Sequence, residues 1–262
     1  MNLSLSFEGP IFKLRPLWSF VAGFLATGSP FSPLQFFLLL FLVEGLMPGW
    51  WRSFKALFSG NSLPLPLANN KMLTPPYALP GSIAWETANL LGRIITWWEK
   101  VFWPERGKAL GSWLFFTLLA LALTFSERIK LWPILMLAMA LGIAGVMSTK
   151  HGKEPAPWKA FYEISLPWLV GEITGRNVEL LSFASAIAFG FVAWGLEDEK
   201  TRWREVLIFG PLGLLFLSLW FTGKYLLAGG LACLMLGLLG IDRQKHHRLL
   251  LLALFLTALA LR

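Results

Sequence analysis

Acidic residues are scarce in this sequence, so the places where they stand together are the first candidates for chemistry. Asp198 is one of two aspartates in the chain, and it lies between Glu197 and Glu199. Carboxylate oxygens are the ligands that a divalent cation such as Mg²⁺ takes, so this run could hold one cation. The alternative is structural: the same acids could end a helix and pair with the basic residues of 200–204.

A second group of acids lies within apolar stretches. Glu44 follows Phe41-Leu42-Val43, and Glu163 and Glu172 lie on either side of Pro167-Trp168. A carboxylate inside a bilayer is costly, so such residues are functional candidates by default. Glu44 could hydrogen-bond a ligand or relay a proton, or, as a protonated acid, pin one helix to another. The sequence leaves both interpretations open.

Basic side chains form the third candidate group. They are Arg52, Lys55, Lys71, Lys150, Lys153, Arg202 and Arg204. At a membrane surface such residues can bind a diphosphate or an anionic lipid headgroup. The sequence favours plain anchoring at the interface over a specific anion site.

The elements that must position these residues are membrane-spanning helices. The chain is 56% hydrophobic and 15% charged, whereas a soluble domain is about 25% charged. A bilayer core needs roughly 17–25 apolar residues per helix. Nine segments approach this length, near 16–29, 33–50, 111–126, 130–148, 158–175, 178–196, 206–222, 224–241 and 248–261. The prediction is an all-α integral membrane protein, a single polytopic domain over 1–262.

Residues 50–110 depart from this pattern. They are rich in proline, and their tryptophan pairs Trp50-Trp51 and Trp97-Trp98 suit the headgroup level of a bilayer. We expect a large cytoplasmic cap after the second span, with an amphipathic interfacial helix from Ala84 to Val101.

The distribution of basic residues predicts the topology. With a cytoplasmic N-terminus, 18 of the 23 Lys and Arg fall in cytoplasmic segments, and the C-terminus lies on the outer side. A cleaved signal peptide over residues 1–28 is the alternative, but its removal would reverse the parity that this count supports. The formal charge of +8 is therefore attributed to topology, and no nucleic-acid partner is expected. The single cysteine, Cys233, allows no internal disulfide.

Several local sequences resemble the UbiA-type intramembrane prenyltransferases. Residues 13–18 (KLRPLW) resemble the Arg-Pro entry to that family's first helix, and residues 75–82 (PPYALPGS, with Tyr77) resemble a proline-rich stretch of its chlorophyll-synthase-like members. Residues 196–203 lie where the family has its second acidic motif. Lys150, just after the fourth span, matches a basic position of the family's next loop. The resemblance implies a nine-helix fold in which two acidic motifs hold Mg²⁺ against an allylic diphosphate.

The first of those two motifs is missing. No acid occurs between Glu44 and Glu86, and the aligned positions include Asn69 and Lys71, with Asn70 beside them. Amides are neutral donors, and a lysine repels a metal. In the second motif the family's later acid falls on Thr201 or Arg202.

Three functions follow as hypotheses. The first is a catalytically degenerate UbiA-like protein that binds an isoprenoid-tailed lipid, quinone or pigment as a structural subunit or assembly factor of a membrane complex. The second is an active Mg²⁺-dependent transferase that moves a polyprenyl or phytyl-type chain onto an aromatic or tetrapyrrole acceptor. Its predicted metal ligands are Glu197, Asp198 and Glu199, and its predicted ligand-binding residues are Glu44, Arg52, Asn69, Asn70, Tyr77 and Lys150. The third is a transporter or channel component, with water-filled access to Glu44.

Overall fold

The computed structural model describes residues 15–28, 32–58, 79–126, 132–148, 156–173, 179–197, 202–240 and 246–262. Over these residues the protein is helical, without a strand. The chain divides into two compact units: unit 1 comprises Met1–Pro48 and Leu119–Arg262, and unit 2 comprises Gly49–Leu118. Unit 2 covers most of the segment predicted as a cap.

The described residues form twelve α-helices: α1 Arg15–Ala26, α2 Pro33–Phe41, α3 Met47–Phe58, α4 Ile83–Trp97, α5 Trp103–Ser126, α6 Trp132–Met147, α7 Ala156–Ala160, α8 Leu166–Glu172, α9 Leu180–Glu197, α10 Arg204–Phe221, α11 Tyr225–Gly240 and α12 His246–Leu261. Three π-helical turns, Leu42–Leu46, Trp98–Phe102 and Phe161–Ser165, join α2 to α3, α4 to α5 and α7 to α8. Each predicted span therefore coincides with a helical segment.

Four helical segments are long enough and apolar enough to cross a membrane. They are Pro33–Phe58, Ile83–Leu123, Leu180–Glu197 and Arg204–Phe221. Trp132–Gly145, Tyr225–Leu239 and Arg248–Leu261 are apolar but shorter. The protein thus has the character of a membrane protein. The predicted interfacial helix is not a separate element, because α4 continues through a π-helical turn into α5 as one helix of 41 residues.

The tightest packing in unit 1 joins α1 to α8 through two glycines. A Cβ atom built on Gly23 would overlap the Trp168 backbone, with the Trp168 Cα only 2.9 Å away. A Cβ atom on Gly171 would lie 2.6 Å from the Phe24 backbone nitrogen. The backbones touch here because neither residue has a side chain, as is common where membrane helices pack closely. Trp168 and Phe20 are fully buried at this seam.

The remaining helices of unit 1 extend this core. Helix α1 also packs against α12, and α9 packs against α10 and α12. At the end of unit 1 where α1 finishes, the Lys224 ammonium donates to the Ala260 carbonyl of the last turn of α12. A cation at a helix C-terminus is favoured by the helix dipole.

Unit 2 contains α4 and most of α3 and α5. Ser82 caps α4, with its Oγ accepting from the Trp85 N–H at 3.2 Å. The Trp50 indole Nε1–H donates to Thr117 Oγ1 at 3.0 Å, and the Arg106 guanidinium donates to the Leu57 carbonyl at 2.6 Å. These bonds tie α3 to α5 within the unit.

Candidate functional site

The first turn of α1 is the centre of the polar groups in unit 1. A helix start leaves backbone N–H groups without intrahelical acceptors, and Pro16 at this start removes one of them. The Leu17 N–H is taken by the Glu44 carboxylate, which reaches it from the π-helical turn Leu42–Leu46. A carboxylate at a helix N-terminus is electrostatically favourable. The contact ties α1 to the α2–α3 segment, which is the pinning geometry considered for Glu44.

Two cations and two carboxylates meet beside this turn. The Arg15 guanidinium makes a close ion pair with Glu197 Oε1 and lies 3.7 Å from Glu163 Oε2. The Lys159 ammonium lies 3.4 Å from Glu197 Oε1 and 3.9 Å from Glu163 Oε1. We call Arg15, Lys159, Glu163 and Glu197 the ionic cluster.

The ionic cluster is partly withdrawn from solvent. The side chains of Glu197 and Arg15 are 12% and 18% exposed, and that of Lys159 is 42% exposed. Glu197 therefore has two cations against one of its oxygens in a sheltered position. The cluster also shows which helices lie together: the start of α1, the short helix α7 and the end of α9 meet at what we call the charged end of unit 1.

The π-helical turns bring the acids to this end. Glu44 and Glu163 each lie in such a turn, and π-helical turns occur often at functional sites because they displace a side chain from its ordinary helical position. The two turns are linked, since the Tyr162 hydroxyl donates to the carbonyl of Met47, the residue that follows the first turn. Ser165, at the end of the second turn, donates to the Ala186 carbonyl of α9 at 2.7 Å.

A second polar network lies at the other end of unit 1. The Glu172 carboxylate accepts from the Glu179 backbone N–H at 3.1 Å, just before α9 begins. It also hydrogen-bonds to Ser182, whose Oγ accepts from the Trp168 indole N–H at 3.1 Å. Glu172 is 2% exposed. Glu172 and Glu44 both lie in apolar stretches of the sequence. Each carboxylate accepts a hydrogen bond from a backbone N–H where a helix begins.

The predicted site residues fall into three groups. Glu44 and Glu197 converge on the first turn of α1. Arg52 lies on α3 in unit 2. The remaining predicted residues lie outside the described residues: Asn69, Asn70, Tyr77, Lys150, Asp198 and Glu199.

Arg15, Lys159 and Tyr162 were not predicted as site residues. In the sequence, Arg15 stands out as part of the Arg-Pro pair of residues 13–18, whereas Lys159 is one of the 23 basic residues and Tyr162 has no distinguishing pattern. One usable signal is the pair Arg15-Pro16. Proline is favoured in the first turn of a helix, so the pair marks the start of an apolar helix and places Arg15 there. Arg15 pairs with Glu197, and Tyr162 with Met47, across more than a hundred residues, which gives no local signal. Lys159 and Glu163 are four residues apart on one helix, a spacing that sequence can show.

A groove runs along α9 and α10. Its volume is about 450 Å³, and it is lined by apolar side chains with one hydroxyl, that of Ser218. Leu181, Ala184 and Phe191 line it from α9, and Leu207 and Pro211 from α10. Such a surface is suited to a hydrocarbon chain.

Among the described residues, no three His, Cys, Asp or Glu side chains are grouped as metal ligands. Comparison of the chain with protein-family models, with curated proteins and with solved structures gives no match.

Proposed function

We propose that this protein is a non-catalytic, membrane-embedded helical protein that binds an isoprenoid-tailed lipid, quinone or pigment. In this proposal it resembles UbiA-type prenyltransferases in helix arrangement and acts as a structural subunit or assembly factor of a membrane complex. Mg²⁺ has no part in its function.

The single observation that carries the proposal is the environment of Glu197. This residue opens the only run of acids in the sequence that matches a metal-binding motif of the family. Its carboxylate is held by Arg15 and Lys159. Two cations at one carboxylate neutralise the charge that a divalent cation needs and repel that cation directly. The first acid of the motif therefore joins α1, α7 and α9, which is a structural task.

Two further features support the proposal. The segment between Glu44 and Glu86 contains no acid, so a facing half-site for a second metal has no ligands in sequence. The α9–α10 groove offers an apolar surface on two helices that are each long and apolar enough to cross a membrane. A protein without the metal ligands but with an apolar groove can bind an isoprenoid chain and does not transfer it.

Purification from the native membrane in mild detergent tests the binding part. We expect an isoprenoid-tailed molecule near one per chain by mass spectrometry of the extracted lipids, together with co-purifying membrane polypeptides. A preparation that carries only the bulk lipids of the membrane, at bulk proportions, would contradict the proposal.

A transfer assay tests the non-catalytic part. The purified chain is incubated with a polyprenyl diphosphate, an aromatic acceptor and Mg²⁺, and we expect no prenylated product. Product formation that chelation abolishes, and that Asp198→Ala removes, would show the active transferase instead.

A further inference from the structure

The helix Ile83–Leu123 is about twice as long as a bilayer core is thick. Its 41 residues extend roughly 60 Å, whereas the hydrocarbon core measures about 30 Å. The turn Trp98–Phe102 does not interrupt the helix, since the Trp103 N–H donates to the Trp98 carbonyl at its end. When one part of this helix crosses the hydrocarbon, another part must therefore lie outside it.

The charges along the helix show which part lies outside. Residues 109–126 carry no charge, and this length of helix, about 27 Å, matches the thickness of the hydrocarbon. Residues 99–108, which precede them, hold five charged side chains and extend about 15 Å. The headgroup layer on each side of a bilayer is only about 5–8 Å deep. With 109–126 in the hydrocarbon, α4 lies beyond the headgroups, where lipid does not cover it.

Helix α4 exposes a wide apolar face. Ile83 is 81% exposed and Leu90 is 57% exposed. At about 100° per residue, the side chains of this face fall within an arc of about 140°. We call them the α4 face: Ile83, Thr87, Leu90, Leu91, Ile94, Ile95 and Trp98. On the other side of the helix, Ala88, Gly92 and Thr96 are buried. An apolar face of this width outside the lipid is typical of an interaction site.

The spacing of the α4 face is that of a coiled coil. Its central residues, with Trp97 at the edge, recur at intervals of four and three residues: Ile83, Thr87, Leu90, Ile94 and Trp97. In this heptad pattern Thr87 and Ile94 occupy the a positions, and Leu90 occupies a d position. Residues branched at Cβ in the a positions favour a pair of parallel helices.

A second copy of this chain supplies the matching helix. Two copies anchored in one membrane by residues 109–126 hold their α4 helices at the same height and in the same direction, so the seam pairs in register. One flank of α4 carries Glu86 and Arg93, and the other flank carries Leu91 and Trp98. In a parallel pair each charged flank meets the apolar flank of the other copy, so like charges do not oppose each other. Arg93 then lies against the Trp98 ring of the second copy, which is a favourable cation–π arrangement.

The area of the α4 face is sufficient for such a pair. Its exposed apolar side chains present on the order of 600 Å² per copy, so two copies bury about 1,200 Å², the lower limit for a specific interface. Anchoring in a common membrane raises the effective concentration of the two helices, which offsets the modest area.

We propose that two copies of this chain associate through the α4 face as a parallel pair of helices outside the membrane. The occupant of the face is a second copy of α4, with Thr87 and Leu90 at the centre of the seam. This dimer goes beyond the proposed function and does not depend on the isoprenoid ligand.

Disulfide crosslinking of the full chain in proteoliposomes tests the proposal. Thr87→Cys in a Cys233→Ala background places a single thiol at the centre of the seam. We expect mild oxidation to give a covalent dimer, and its absence would overturn the proposal. Leu90→Glu, added to this background, puts a charge into the seam of each copy, so the association constant should fall at least about tenfold.

Leu79→Glu is the matched control for the added charge. Leu79 is 75% exposed and precedes α4 outside the seam, so crosslinking through Thr87→Cys should be unchanged in this variant. An equal loss of crosslinking in the two glutamate variants would overturn the proposal. Ile94→Glu keeps the test decisive if thermal unfolding shows that Leu90→Glu does not fold. Undiminished crosslinking in folded Ile94→Glu would also overturn the proposal.

A count of chains per particle identifies the occupant. Single-molecule photobleaching of the fluorescently labelled chain, extracted from its native membrane into nanodiscs, should show two copies per disc, and one copy for Leu90→Glu. One copy per disc for the unaltered chain, or crosslinking of Thr87→Cys in the native membrane only to a different polypeptide, would assign the α4 face to another subunit and overturn the dimer.

Discussion

The two halves of α1 are held by contacts of opposite character. Its middle touches α8 backbone to backbone at Gly23 and Gly171, without a polar side chain between them. Its first turn is held by charges: Arg15 pairs with Glu197 and Glu163, and the Leu17 N–H meets Glu44. The same short helix is thus fixed by shape at one point and by electrostatics at another.

This difference predicts how each contact responds to change. A backbone contact tolerates no added atom, is insensitive to salt and offers no alternative partner. The ionic cluster has four members, so the loss of one leaves the others to rearrange, and its partial exposure makes it sensitive to salt. The backbone contact at Gly23 and Gly171 therefore determines whether α1 packs against α8. The ionic cluster determines the position of the first turn of α1.

The largest effect is expected at Gly23. In Gly23→Ala the new Cβ overlaps the Trp168 backbone, so α1 and α8 must separate along their whole contact. We expect a loss of at least about 3 kcal/mol in the free energy of unfolding, at the upper end of overpacking costs. Thermal or denaturant unfolding in detergent measures it.

Gly229→Ala in α11 is the matched control, because nothing lies within 4 Å of its Cβ position. Alanine is the better helix former by up to about 1 kcal/mol, so this variant keeps or gains stability. Equal losses in the two variants would show that the α1–α8 contact is not the determining one.

The helices of this protein could be predicted from sequence because their signal is local. Runs of apolar residues bounded by charges or by Gly and Pro mark each segment, and the structure places a helix at every one. The sequence predicts an interfacial helix from Ala84 to Val101 and a third span near 111–126, and in the structure Trp98–Phe102 joins the two segments as a π-helical turn. No local pattern distinguishes such a turn from an ordinary helical one.

The candidate site could be predicted only in part. Glu44 and Glu197 were recognised because acids are rare in apolar sequence, yet their partners were not. Glu197 pairs with Arg15, which is 182 residues away, and that pairing depends on the packing of α1 against α8. The decisive feature of this packing is the absence of a side chain at Gly23, which in sequence is indistinguishable from the other glycines of the helices.

A smaller effect is expected at the ionic cluster. Arg15→Met keeps the apolar stem but leaves Glu197 with Lys159 alone, and we expect a loss of about 2 kcal/mol, reduced from the cost in a fully buried pair by partial exposure. The loss should shrink in 1 M salt, where the screening length is about 3 Å.

Glu205→Gln provides the control for removal of a charge. Glu205 is an exposed acid in the first turn of α10, and its loss should change stability by less than about 0.5 kcal/mol. If Glu197→Gln is as mild as Glu205→Gln, then Glu197 does not hold the helices together. The structural interpretation of the acidic run would then fail with it.

The smallest effect on stability is expected at Glu44. Variants of this residue distinguish two roles: a hydrogen bond that holds α1 in place, and a group that lines a water-filled pathway. Glu44→Gln keeps an oxygen that accepts from the Leu17 N–H, so stability should fall by less than about 0.5 kcal/mol, whereas Glu44→Leu removes the acceptor and should cost about 1–2 kcal/mol. The paired measurement is thiol labelling of Glu44→Cys in a Cys233→Ala background, since Cys233 is exposed. A pin packed against the first turn of α1 should resist a membrane-impermeant reagent from both sides of a vesicle. Rapid labelling from either side, with equal stability in the Gln and Leu variants, would instead favour aqueous access and the transporter hypothesis.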